Sequence, residues 1–146
     1  MKTTEIINLV ISIIGCTTGL VGFVFSIFTI KRNRTIAVHE FLSKMESDSF
    51  ISARKKVYGK TYSQYCNIED EDASKVINIF HHWGLLAKKH YLPMWVFDGA
   101  SGNGACRLYE KTENYIKRRR EVHNDDHYAE YFEWLYNRLK ASRSTD

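Results

Sequence analysis

The chain has 146 residues, a formal net charge of +4 at pH 7, 44% hydrophobic and 26% charged residues, and a single proline, Pro93. That length suits one small domain with a single core, and acids nearly as numerous as bases argue against a dedicated nucleic-acid binder. Cys16, Cys66 and Cys106 are odd in number with no CxxC spacing, which argues against a disulfide framework and a zinc knuckle and fits a reducing compartment.

Charge is unevenly spread. Nearly all of it follows residue 30, while the longest apolar run precedes it. From Ile6 to Ile30 there are 25 residues and no charge. As a helix this stretch is about 37 Å long at ~1.5 Å per residue, enough to cross a hydrocarbon core of about 30 Å with some tilt. It exceeds the roughly 7–15 residues of a signal-peptide core, and no small-x-small cleavage site follows, so residues 1–33 are expected to be an uncleaved transmembrane anchor. Lys31, Arg32 and Arg34 stand directly after the span, against Lys2 and Glu5 before it. The positive cluster stays inside. The chain is therefore expected to cross the inner (plasma) membrane once, with its N-terminus outside and its domain in the cytoplasm.

Within the span, Asn8, Ser12, Gly15, Gly19, Gly22, Ser26 and Thr29 recur at spacings of 4, 3, 4, 3, 4 and 3. This is a heptad seam of small and weakly polar residues, with Gly15 and Gly19 forming a GxxxG pair. Small residues let helix backbones approach closely in lipid. The expected partners are membrane lipid and either a second copy of the chain or another membrane protein. Cys16 and Thr17 lie off the seam.

The domain is expected to span 34–141, with a polar tail over 142–146. Val38, Phe41, Leu42 and Met45 have i, i+3, i+4, i+7 spacing and predict an apolar helical face. Ser47 or Asp48 can open a new helix, and Gly59 ends this region near Tyr58. Thr61–Asp70 reads as a loop whose Tyr62, Tyr65 and Ile68 pack back on the core. Acids from Glu69 to Asp72 mark the next helix start. Ile68, Val76, Ile77, Phe80, Trp83 and Leu86 supply the buried face of that helix, which Gly84 interrupts. Pro93 suits a helix start before Met94–Phe97. Gly99–Gly104 reads as a turn or flexible connection. A helix from about Arg107 to Val122 carries Leu108, Thr112, Tyr115, Ile116 and Arg119 on one side. Asn124 and Asp125 can cap a last helix over about 126–140, with Tyr128, Tyr131, Phe132, Leu135 and Leu139 inward. No strand-period alternation stands out. The fold class is all-α: one transmembrane helix and a cytoplasmic bundle of about four to five helices.

Candidate chemistry is sparse. The glycine stretch lacks the preceding strand and the Gly-Lys-Ser/Thr of a phosphate loop. His123 and His127 have a chelating i, i+4 spacing, but the Asn-Asp-Asp between them reads as a helix start. His81 and His82 point to different faces, one of them toward the core near Trp83. Paired carboxylates fall at helix starts, where capping explains them. No cofactor, metal site or catalytic residue is assigned, and the chain is read as a non-enzyme. Lys117, Arg118 and Arg120 form the strongest basic run, fit for a solvated face or for anionic headgroups, with no specific nucleic acid expected. Arg119, on the apolar side after Tyr115 and Ile116, is expected to be partly buried against Glu130 or Glu133, in a structural role.

Five features together carry a resemblance: the span followed by basic residues, Gly84-Leu85-Leu86-Ala87-Lys88-Lys89, the aromatic Trp95–Phe97, Arg119 in the penultimate helix, and Phe132-Glu133-Trp134-Leu135. In these the chain resembles a family of uncharacterised bacterial membrane-anchored helical proteins, known only as a domain of unknown function. The resemblance implies a helical fold and no known reaction. The glycine-rich Gly99–Gly104 segment looks longer than that family's pattern. The functional expectation is a membrane-tethered interaction or regulatory module that self-associates through its span. The alternative is a small membrane effector of a bacterial defence or toxin system that perturbs the bilayer on assembly.

Overall fold

No proline occurs before Pro93, and α1 runs from Thr3 to Glu46. The computed structural model describes residues 3–143. Lys2 of the N-terminal flank and residues 144–146 of the expected tail lie outside them. Every regular element among the described residues is helical. The chain divides into two compact units, Met1–Ile36 and Ala37–Asp146, with the boundary inside α1.

In the first unit, the apolar residues from Ile6 to Ile30 are exposed. Among the described residues, α1 is the one helix long and apolar enough to cross a membrane, and none of its most apolar stretch is buried.

The second unit begins with the end of α1, where Ala37 and Phe41 enter the core. The Phe41 ring meets Trp83 at 4.6 Å and Phe97 at 5.2 Å between centroids, both edge to face. Ser47 takes an extended backbone, and its Oγ donates to the Lys44 carbonyl at 2.8 Å. The bend expected at Ser47 follows, and α2 (Asp48–Gly59) turns Phe50, Ala53 and Val57 inward. Helix α3 (Glu71–Lys88) is capped by Asp70, whose carboxylate accepts from the Ala73 amide at 3.2 Å. It lies against both α2 and α5 and buries Ala73, Val76, Ile77, Phe80, Trp83, Gly84 and Ala87. Pro93 precedes a 3-10 turn, Met94–Phe97. Helices α4 (Ala100–His123) and α5 (Glu130–Arg143) complete the bundle. Leu108, Thr112, Tyr115 and Ile116 are buried on α4 and Phe132, Leu135 and Leu139 on α5, as expected, but Tyr131 is only half-buried and the half-buried Tyr128 precedes α5.

Several local expectations change. Gly84 does not interrupt α3. It lies in an unbroken helix where a Cβ would collide with the Tyr131 backbone. The Gly99–Gly104 stretch is not a free connection. Gly99, at φ +65°, is the N-cap of α4, and the rest forms its first turns. Gly102 allows the Phe97 carbonyl to approach, and Ser101 Oγ donates to the Val96 carbonyl at 2.6 Å. Asn124, left-handed at φ 49°, closes α4 instead of capping α5, which begins only at Glu130. Leu42 is exposed, and Ala37, one turn before Phe41, is buried. Tyr62 packs inward, but Tyr65 is 80% exposed. Helix α5 runs through Arg143, into the stretch expected to be a polar tail.

Candidate functional site

All seven seam residues lie on α1 and are exposed. A Cβ added at Gly15, Gly19 or Gly22 would meet nothing within 4 Å. The hydroxyls turn back on their own helix: Ser12 Oγ donates to the Asn8 carbonyl, Ser26 Oγ to Gly22 and Thr29 Oγ1 to Phe25, each at 2.9 Å. Their donors are thus satisfied without water, as apolar surroundings require.

The basic run divides among several acidic partners. Lys117 pairs with Glu113 at 2.7 Å, and Arg118 with Glu121 at 3.4 Å. Arg120 is not on the open surface. Its Nη2 donates to Glu133 at 2.8 Å and its Nε to the Tyr128 carbonyl at 2.9 Å, joining α4 to α5 and the turn before it. Arg119 is half-buried as expected, but its partners differ. Its Nη1 donates to Ser74 Oγ at 3.1 Å and Tyr115 Oη at 3.0 Å, and the guanidinium stands 4.7 Å from the Tyr128 ring centre. Helical register explains the exchange: the step from 119 to 120 turns the latter toward α5 and leaves the former facing α3. Glu130 instead meets His127 Nδ1 at 2.7 Å.

One network was not foreseen as a unit. Asp70 accepts from Lys60 Nζ at 2.7 Å and Tyr62 Oη at 3.0 Å besides capping α3. Tyr115 Oη donates to the Ile68 carbonyl at 2.7 Å, and Asn114 Nδ2 to the Tyr62 carbonyl at 3.0 Å. These bonds fasten the 61–70 loop to α4. The acids at the helix start were the sequence signal, but the pairing with Lys60 needs the fold. Burial alone raises the Asp70 carboxyl. Lys60, the Ala73 amide and Tyr62 outweigh it and hold the group below the ordinary carboxylate range. A lowered folded pKa stabilises the fold above the unfolded value, near 3.9, and that contribution is lost as pH falls through the folded value. Asp70→Ala is therefore expected to cost about 1–2 kcal/mol at neutral pH, the range for a lost N-cap. Urea titrations at pH 7 and in strong acid check this, because the gap between wild type and variant should shrink in acid.

Elsewhere, His123 and His127 are exposed, and among the described residues no group of three or more His, Cys, Asp or Glu is arranged to hold a metal ion. His81 is the half-buried member of its pair, packed edge-on against Tyr131 at 5.0 Å.

The signature of Domain of unknown function (DUF4760) matches residues 16–139. The chain belongs to that family. The DUF4760 match takes in the later half of the apolar stretch, the basic residues after it and the bundle through Leu139. The expected membership in an uncharacterised family is thus met. No curated protein and no solved structure matches the chain.

Proposed function

We propose that this DUF4760 chain is a single-pass plasma-membrane protein whose cytoplasmic helical domain is an interaction or regulatory module, and whose span pairs with a second copy through the Asn8–Thr29 seam. The observation that carries the reading is the open glycine stripe on an unburied apolar helix. Helices in lipid gain little from hydrophobic burial against each other, so close backbone packing supplies the attraction. A 3.5-residue repeat keeps one stripe facing a partner along a left-handed crossing. The hydroxyls already bonded within the helix leave the glycines as the main contact surface.

In a bacterial two-hybrid assay for transmembrane association, Gly19→Ile should cause a strong loss of signal by pushing the helices apart at the centre of the stripe. Val21→Leu, off the stripe, should not. Equal signals from both variants would reject seam-driven pairing, and loss seen only alongside another membrane protein would point to a hetero-partner. Orientation needs an exposed thiol, because Cys106 is buried and burial pushes the thiols of Cys66 and Cys106 up. In Gln64→Cys, at an exposed loop position, a membrane-impermeant maleimide should label only after lysis. Labelling of intact cells would reverse the assigned topology.

A further inference from the structure

With Lys117, Arg118 and Arg120 each engaged by a carboxylate, the unneutralised cations of the domain lie elsewhere. On α2, Ile51, Arg54, Lys55 and Tyr58 follow i, i+3, i+4, i+7 spacing and share one face, beside that of the buried Phe50, Ala53 and Val57. Arg107, from α4, closes a hollow of about 480 Å³ with them. No carboxylate lines it. Among the described residues Lys55 and Arg107 make no ion pair, and Arg54 rests over the Phe50 ring at 5.7 Å. Burial raises the Tyr58 phenol, and Arg54 and Arg107, which line the same hollow, both pull against it. Tyr58 Oη also reaches the Gly104 carbonyl at 3.4 Å, joining the two helices beside the hollow. Ile51 and Tyr58 remain 42% and 41% exposed. Three cations flanked by exposed apolar side chains match a surface that is anionic at its headgroups and apolar just beneath them.

We infer that this face, Arg54, Lys55 and Arg107 with Ile51 and Tyr58, docks on the phosphate headgroups of anionic phospholipid in the membrane that holds the span. Charge complementarity selects the ligand. Tethering through α1 keeps headgroups at high local concentration, so weak single contacts suffice. Each cation near an anionic surface is worth about a fivefold shift in occupancy. The inference rests on the membrane reading above, and its test separates the two.

The full chain is assembled into nanodiscs of phosphatidylcholine alone and into nanodiscs with added phosphatidylglycerol, which leave both membrane faces open to reagent. Co-elution with both disc types is the membrane reading; failure to co-elute with either rejects that reading first. Lysines are then acylated with a water-soluble ester and followed by mass spectrometry. Lys55 should react about fivefold more slowly in the phosphatidylglycerol discs, while exposed Lys75 on α3 should react equally in both. High salt should abolish the difference. Arg107→Gln, at an exposed position, should weaken the protection of Lys55. Equal Lys55 rates in both discs, protection of Lys117 without Lys55, or full protection in Arg107→Gln would each overturn the proposed docking face with the membrane reading intact. Equal protection by inorganic phosphate in neutral discs would assign the hollow to a soluble anion instead.

Discussion

Gly84→Ala is expected to destabilise the domain by about 2–3 kcal/mol, although alanine is the better helix former by about 1 kcal/mol. The reason is location. A Cβ at Gly84 would press into the Tyr131 carbonyl oxygen and lie 2.6 Å from its carbonyl carbon. Backbone cannot swing aside as a flexible side chain does, so α3 and α5 must separate or the helix start at Tyr131 must distort. Gly104→Ala is the matched control. Gly104 also lies inside a helix, α4, but an added Cβ there meets nothing within 4 Å. This second substitution should be neutral or stabilising by about 0.5–1 kcal/mol. The thermal unfolding midpoint of the full chain in detergent, followed by circular dichroism, should therefore fall for Gly84→Ala and stay level or rise for Gly104→Ala. A shift of about 4–8 °C per kcal/mol is expected for a domain of this size. A Gly84→Ala transition at or above wild type would refute the close α3–α5 approach.

Those two glycines also show where sequence legibility ended. The periodic faces were readable because burial imposes them. Val76, Ile77, Phe80 and Trp83 repeat at helical spacing, and they are buried where the repeat places them. The break at Ser47 was readable for a local reason, since a short hydroxyl side chain competes for helix carbonyls. Glycine carries no such local label. In α3 it marks close packing against α5, and at Gly99–Gly104 it marks a helix start against the Phe97 carbonyl. Both meanings depend on a neighbour distant in sequence. Asn124 misled in the same way, because a residue suited to an N-cap is also suited to the left-handed end of the preceding helix.

Charge followed a similar division. The run Lys117–Arg120 is conspicuous in the sequence, but the acids that neutralise Lys117, Arg118 and Arg120 are one helical turn away at Glu113 and Glu121, or on α5 at Glu133. Exposed pairs of this kind add little stability, about 0–1 kcal/mol each, but they remove net charge from the surface. The α2 face is less conspicuous because Arg54 and Lys55 stand between Ile51 and Tyr58, and Arg107 joins them only through the fold. The density of basic letters was thus a poorer guide to open positive surface than the absence of acids within reach. The stripe from Asn8 to Thr29 is a pattern local to one helix: all seven residues are exposed on α1, and its three glycines have open space beside them.

Phe132→Ala is the other substitution with a large expected effect, a loss of about 3–5 kcal/mol. Phe132 is fully buried on α5. It stacks on Phe80 of α3 with centroids 4.8 Å apart, and meets the edge of Tyr109 from α4 at 5.2 Å. Phe80 in turn touches Trp83 at 5.1 Å and Phe50 of α2 at 6.0 Å. Truncation removes the ring that joins three helices and leaves a cavity that they cannot close without separating. Domains of this size are stable by only about 5–15 kcal/mol, so the variant should unfold well below the wild-type midpoint. Tyr65→Ala removes a ring of comparable size from the same domain. In the sequence both aromatics read as core, but Tyr65 stands in solvent, and its loss should change stability by no more than about 0.5 kcal/mol. Urea titration of both variants in detergent, with the slope fixed by the wild type, measures the contrast. Similar losses for both would mean that the 61–70 loop closes over the core with Tyr65 inside, and would overturn this aromatic arrangement.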